Sequence, residues 1–120
     1  MRPAIVAVLE SCRDIDALVA ALAALIHPQD LPHARRLLEH EDWPVRVAAV
    51  RALGRLGERS DFGRLAAHLA DASWWVRHRA AQALCALPGV ARNELEALSR
   101  ALTDRFGADA LRQALAEQAA

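Results

Sequence analysis

Apolar residues recur along this chain at helical spacing, and that spacing itself recurs. Val76, Ala80, Ala83, Leu84 and Leu87 fall at i, i+4, i+7, i+8 and i+11, one face of a helix with 3.6 residues per turn. Val45, Ala49, Ala52, Leu53 and Leu56 form the same face 31 residues earlier. Leu18, Ala21, Leu22 and Leu25 form most of it another 31 residues upstream, with Asp14 standing where the leading valine belongs. Downstream, Leu111, Ala114 and Leu115 return at the same offset, and Gly107 and Gln118 fill the other two places as in a terminal unit that covers one neighbour. A whole helical face that returns at a fixed offset predicts a repeat protein, because each hairpin buries its apolar side only by stacking on the next.

Punctuation divides the chain into helical pairs. One helix is expected from Pro3 to Cys12, and Asp14 is placed to cap a second reaching Ile26. Pro28 breaks the chain; Asp30 is expected to cap a helix through His40. Asp42 is expected to cap another from Trp43 to Leu56, stopping at Gly57 as a left-handed C-terminal residue. Asp61 and Ser73 take the same parts in a third pair closed by Pro88-Gly89, and a fourth has helices from about Arg92 and about Ala108. The expected fold is all-α: one domain, a right-handed α-α superhelix of about four antiparallel helix pairs, with approximate units 3–26, 30–57, 61–87 and 92–118.

Composition sharpens this picture in one respect and narrows function in another. The chain is 54% hydrophobic but only 4% aromatic, so close-packed Ala/Leu helices are favoured over sheet. Its 15 basic residues, all Arg, balance 15 acidic ones. That neutrality argues against a nucleic-acid or anionic-membrane binder, which would carry a basic surplus. The all-Arg usage reads as coding bias. Cys12 and Cys85 stand far apart with no metal or redox spacing and read as buried free thiols of a reducing, cytoplasmic setting. The most apolar run, Ile15 to Ile26, holds Asp16 and is too short to cross a bilayer, so no membrane insertion is expected.

The stretch Asp71-x5-Arg77-x2-Ala80-Ala81-x-Ala83-Leu84, with Val76 before the arginine, resembles the HEAT repeat. The 31-residue period is similar to its short bacterial, phycobilin-lyase-like form, and Val45-Arg46 with Ala52-Leu53-Gly54-x-Leu56-Gly57 matches that pattern better still. The resemblance implies a HEAT-like solenoid in which Arg46 and Arg77 join a ladder of acidic–basic contacts between units, with Asp42 and Asp71 as candidate partners. It does not imply an activity, since HEAT arrays serve as scaffolds, lyases, hydroxylases and nucleic-acid binders. Its deoxyhypusine hydroxylase branch holds iron with His-Glu pairs in a Val-Arg-His-Glu-Ala-Ala context. Here Val76-Arg77-His78-Arg79-Ala80-Ala81 puts arginine where the carboxylate belongs, and His40-Glu41 lies at a turn without a repeat-spaced partner. No iron site is expected.

Catalytic apparatus is likewise not visible: the chain has no phosphate loop and no nucleophile elbow, and His33 with His40 completes no metal set. The expectation is a non-enzyme with no cofactor. Trp43 and Trp74, equivalent first-turn positions, are expected to wedge between neighbouring units. Trp75 stands where the preceding unit has Pro44, so that position does not require an aromatic; if exposed, it is the best single binding anchor. Beside the core face runs a polar stripe containing Arg51, Arg55, His78 and Gln82. In stacked pairs the second helices line the concave side, so the stripe is where another protein, such as an acidic peptide or helix, would dock. A nucleic-acid binder using arginine phosphate clamps is the alternative, and a lyase or metal enzyme ranks behind it.

Overall fold

A computed structural model of the chain describes the backbone of residues 2–119 and the side chains of residues 4–118. Eight α-helices lie along the described residues, with no strand. They are α1 (Arg2–Ser11), α2 (Ile15–Ala23), α3 (Leu31–Leu37), α4 (Trp43–Leu56), α5 (Phe62–Ala67), α6 (Trp74–Ala86), α7 (Arg92–Ala101) and α8 (Arg105–Ala119). Single turns of 3-10 helix at Pro28–Asp30, Arg59–Asp61 and His68–Ala70 flank the short odd-numbered helices. Successive helices pack as the pairs α1/α2, α3/α4, α5/α6 and α7/α8. The second helices α2, α4, α6 and α8 lie against one another in that order, whereas the first helices scarcely touch each other. The result is an elongated body, 41 × 27 × 23 Å, with α6 at the middle of the contact network.

The repeated apolar face is the seam that holds this layer together. Val45, Ala49, Ala52, Leu53, Val76, Ala80, Ala83, Leu84 and Leu87 are all buried, as are Leu18, Leu22, Leu25, Leu111, Ala114 and Leu115 from the flanking pairs. Leu56 alone of the two central faces stays partly exposed. The first helices add Leu31, Ala34, Leu37, Leu65 and Leu95 from outside. Alanines set the closeness of the layers: a Cβ built on Gly54 would sit 3.2 Å from the Ala83 Cβ, so α4 and α6 meet there with no spare room. Ala83→Leu is therefore expected to overpack the α4–α6 contact and cost about 1–3 kcal/mol, read as a lowered melting temperature; an unchanged one would remove Ala83 from the packed seam.

Helix ends depart from the expected ones in instructive places. Asp14 does cap α2, accepting the Asp16 N–H at 3.1 Å. Asp30, Asp42, Asp61 and Ser73 stand at the helix starts, but their side chains accept no capping bond from the backbone N–H groups of the following turn. Carboxylates and a ring further upstream do related work: Asp71 accepts the Ser73 N–H at 2.9 Å, and the Asp42 N–H donates to His40 Nδ1 at 3.0 Å. Gly57 is extended (φ −70°, ψ 172°) rather than left-handed. What requires glycine there is crowding, since a Cβ would clash with the Leu53 carbonyl oxygen. α8 starts three residues before Ala108 and includes Gly107, where a Cβ would lie 2.6 Å from the Leu69 oxygen. The sequence treats Gly107 as a relaxed terminal position, but it is the point at which α8 presses on the preceding pair.

Neighbouring pairs are also tied by side chains that donate to main-chain carbonyls across the boundary. Arg36 donates to Leu9 at 2.6 Å, Arg55 to Leu22 at 3.0 Å, and Gln118 to Cys85 at 3.0 Å. The buried His68 ring lies between the Leu38 and Arg64 carbonyls, 2.9 Å from each. These bonds answer carbonyls at or near helix C-termini that have no intrahelical partner.

Candidate functional site

The 31-residue period sets a grid on the second-helix layer. Trp43, Val47, Arg51 and Arg55 follow one another by four along α4; Trp74, His78, Gln82 and Ala86 follow in the same register along α6. One helical step of four keeps each set on one face, so the polar stripe beside the core is a real surface feature of adjacent helices. Arg51 and Arg55 are exposed, and His78 and Gln82 are half-buried.

The structure divides the five proposed contact residues into two groups. Arg51, Arg55 and Gln82 line a groove of about 210 Å³ between α4 and α6, together with Gly54, Arg79, Ala83 and Ala86. Arg79 is the member that the sequence does not flag. Its Nη1 donates to Gln82 Oε1 at 3.0 Å, one turn further along α6. Arg51 and Arg55 also line the next groove, between α2 and α4, with Val19, Ala23 and Ala48. Arg51, Arg55 and Arg79 make no ion pair among the described residues. Burial, and then the neighbouring Arg51 charge, push the Arg55 pKa below its ordinary value. Arg55 has a structural task as well, since its Nη2 caps the C-terminal carbonyls of α2.

His78 and Trp75 belong to a second group, at the N-terminal end of α6. The His78 ring is stacked on Trp74 (centroids 4.9 Å apart, planes at 7°), and Trp75 meets Trp74 edge-on at 4.8 Å. Trp43 and Trp74 do not wedge between units, contrary to the expectation: they are 45% and 51% exposed, as is Trp75 at 51%. These first-turn rings stay at the surface: Trp74 lies against His78 of its own helix and lines a depression between α6 and α8. Phe106, 31 residues beyond Trp75, continues the row and is 65% exposed.

The ladder has one internal rung. Arg46 Nε and Nη2 each donate to the Asp71 carboxylate at 3.0 Å, a two-bonded contact from α4 to the start of α6. Asp42, the other candidate, is not its partner. Burial raises the Asp71 pKa, but the Arg46 hydrogen bonds, the Ser73 N–H and the nearby charges outweigh it and leave the carboxyl below its usual range. Arg77 meets no such acid, because Leu102 occupies the place 31 residues beyond Asp71; its guanidinium lies 5.4 Å over the Phe106 ring. A further cross-pair contact, unflagged by the sequence, joins Arg35 Nε and Nη2 to Asp61 at 2.8 and 3.1 Å.

Among the described residues no three His, Cys, Asp or Glu side chains come together as a metal site, and no helix is long and apolar enough to cross a membrane. Cys12 and Cys85 are unpaired and half-buried; burial pushes the Cys85 thiol up, against the pull of Arg92. No curated protein and no solved structure matches the chain. The family model described as HEAT repeats matches residues 3–85, which takes in the first three helical pairs. By that match, laid over a 31-residue stack of helical pairs, the chain belongs to the HEAT-repeat family.

Proposed function

We propose that the chain is a non-enzymatic adaptor of the bacterial cytoplasm, gripping an acidic peptide or helix of another protein on its second-helix face. The observation that carries this reading is the α4–α6 groove, where three guanidiniums gather without a carboxylate in a chain whose total charge is zero. Uncompensated like charge in one groove is mildly unfavourable for folding alone and complementary to an acidic partner. The second helices pack in an unbroken row while the first helices touch far less, which supports reading the second-helix layer as the inner side of the stack. The free thiols fit a reducing compartment.

The test uses a fluorescein-labelled oligoglutamate peptide titrated by anisotropy. The Arg51→Gln/Arg79→Gln double variant should bind roughly tenfold or more weakly, the loss of two charge-assisted contacts, with an unchanged circular dichroism melt. Arg55 is left intact because it caps α2. Equal affinity for the double variant rejects the groove. Tighter binding of an oligonucleotide, with a steep salt slope, would replace the protein partner by a nucleic acid.

A further inference from the structure

Arg46 and Arg77 hold the same position in successive pairs and are prepared by the same local bonds. Arg46 Nη1 donates to the His40 and Glu41 carbonyls at 2.9 and 3.0 Å; Arg77 Nη1 donates to the Asp71 and Ala72 carbonyls at 2.8 and 3.2 Å. With Nη1 fixed in this way, the Nε–Nη2 edge of each guanidinium is aimed toward the following pair. In Arg46 that edge takes both oxygens of Asp71. In Arg77 it has no acceptor among the described residues, and neither atom is sealed from solvent.

We infer that the Arg77 Nε–Nη2 edge is an open rung that receives the carboxylate of an Asp or Glu side chain from a partner peptide, separately from the α4–α6 groove. The fork spacing of a guanidinium matches a carboxylate in two parallel bonds, as the Arg46–Asp71 contact in this same chain demonstrates. Arg77 lines a depression between α6 and α8 with Trp74, His78, Phe106, Asp109 and Gln113. Asp109, the one acid there, is held by Arg112 at 2.6 Å and lies 4.0 Å from Arg105, so its charge is already answered. The exposed Trp74 and Phe106 rings rim the depression and suit an apolar residue beside the acid. The occupant is an acidic residue next to a leucine-like one.

The probe is the capped tripeptide acetyl-Leu-Glu-Leu-amide, with acetyl-Leu-Gln-Leu-amide as its uncharged counterpart, followed by the side-chain Nε–Hε resonances of the arginines in an NMR titration. Arg46 is the internal standard for a filled rung. The expected result is a saturable movement of the Arg77 resonance toward the Arg46 position with the Glu peptide only, while Arg46 stays still. Arg77→Lys keeps the charge and loses the fork, and should weaken binding roughly tenfold or more. Leu102→Asp supplies the missing acid from within, and should move the Arg77 resonance without peptide and abolish the response to it. An Arg77 resonance that ignores the Glu peptide, responds equally to the Gln peptide, or sits at the Arg46 position in the free protein overturns the inference. So does undiminished binding by folded Arg77→Lys. Because Arg51 and Arg79 are untouched, none of these outcomes depends on the α4–α6 groove.

Discussion

Asp61→Ala is expected to lower the unfolding free energy by about 3 kcal/mol or more, seen as an earlier urea midpoint with an unchanged slope. Asp61 is completely buried, yet it is charged and fully used. It takes two bonds from Arg35 of the preceding pair and one from the Glu58 N–H at 3.0 Å, and it lies 3.4 Å from Arg64. Alanine in its place leaves Arg35, whose side chain is 23% exposed, with the exposed Glu58 carboxylate at 3.6 Å in place of its two-bonded partner, and leaves the Glu58 N–H without its acceptor. A loss below about 1 kcal/mol, the value of a surface pair, would mean that Arg35 re-solvates at little cost.

The same group contributes to the acid limit of the fold. Burial raises the Asp61 pKa, but the Arg35 and Glu58 hydrogen bonds and the Arg35 and Arg64 charges more than reverse this, and the net shift is downward. Asp71 is shifted the same way. A carboxyl with a lower pKa folded than unfolded contributes stability in full above its unfolded pKa, about 4. That contribution fades as the pH falls through the folded value. The chain should therefore lose stability on acidification below about pH 4, and Asp61→Asn should flatten that acid limb while lowering the neutral plateau. An acid limb equally steep in Asp61→Asn would assign it to other groups.

Leu84→Ala is expected to cost about 2–5 kcal/mol, a fall of roughly 10 °C or more in melting temperature. Leu84 has no exposed surface and lies on α6, which packs against α4, α5, α7 and α8. Truncation there opens a cavity in the middle of the seam, where both flanking pairs depend on it. Leu56→Ala, at the partly exposed edge of the same repeated face, should cost less. Equal losses for the two leucines would show that the apolar face is not graded by burial as the packing requires.

The helical pairing and the seam were legible because both rest on a period, and a period survives without coordinates. Every leucine and alanine that the 31-residue offset assigned to the central faces is buried apart from Leu56. What the period leaves open is the direction of a side chain at a helix end. Trp43 and Trp74 have the bulk of core residues, but each stands in a first turn and stays about half exposed. Partners across pairs were equally hidden. Asp42 lies one turn from Arg46 in the chain, yet Asp71, 25 residues away, takes the guanidinium, because the side chain reaches forward along the stack. Arg55 shows the same blindness on the candidate surface: its place in the polar stripe made it a contact residue, while carbonyls it serves belong to α2.

The bonds that cross from pair to pair toward Leu9, Leu22, Leu38 and Cys85 share one property: each acceptor is a peptide oxygen, which every amino acid carries. Substitution at the acceptor position leaves that oxygen in place, so these ties, unlike the Arg35–Asp61 and Arg46–Asp71 contacts, do not depend on which side chain the acceptor carries. An additional pair copied into the row would find its acceptors already waiting. This part of the cohesion between pairs passes to a duplicate without a matching side chain at each acceptor.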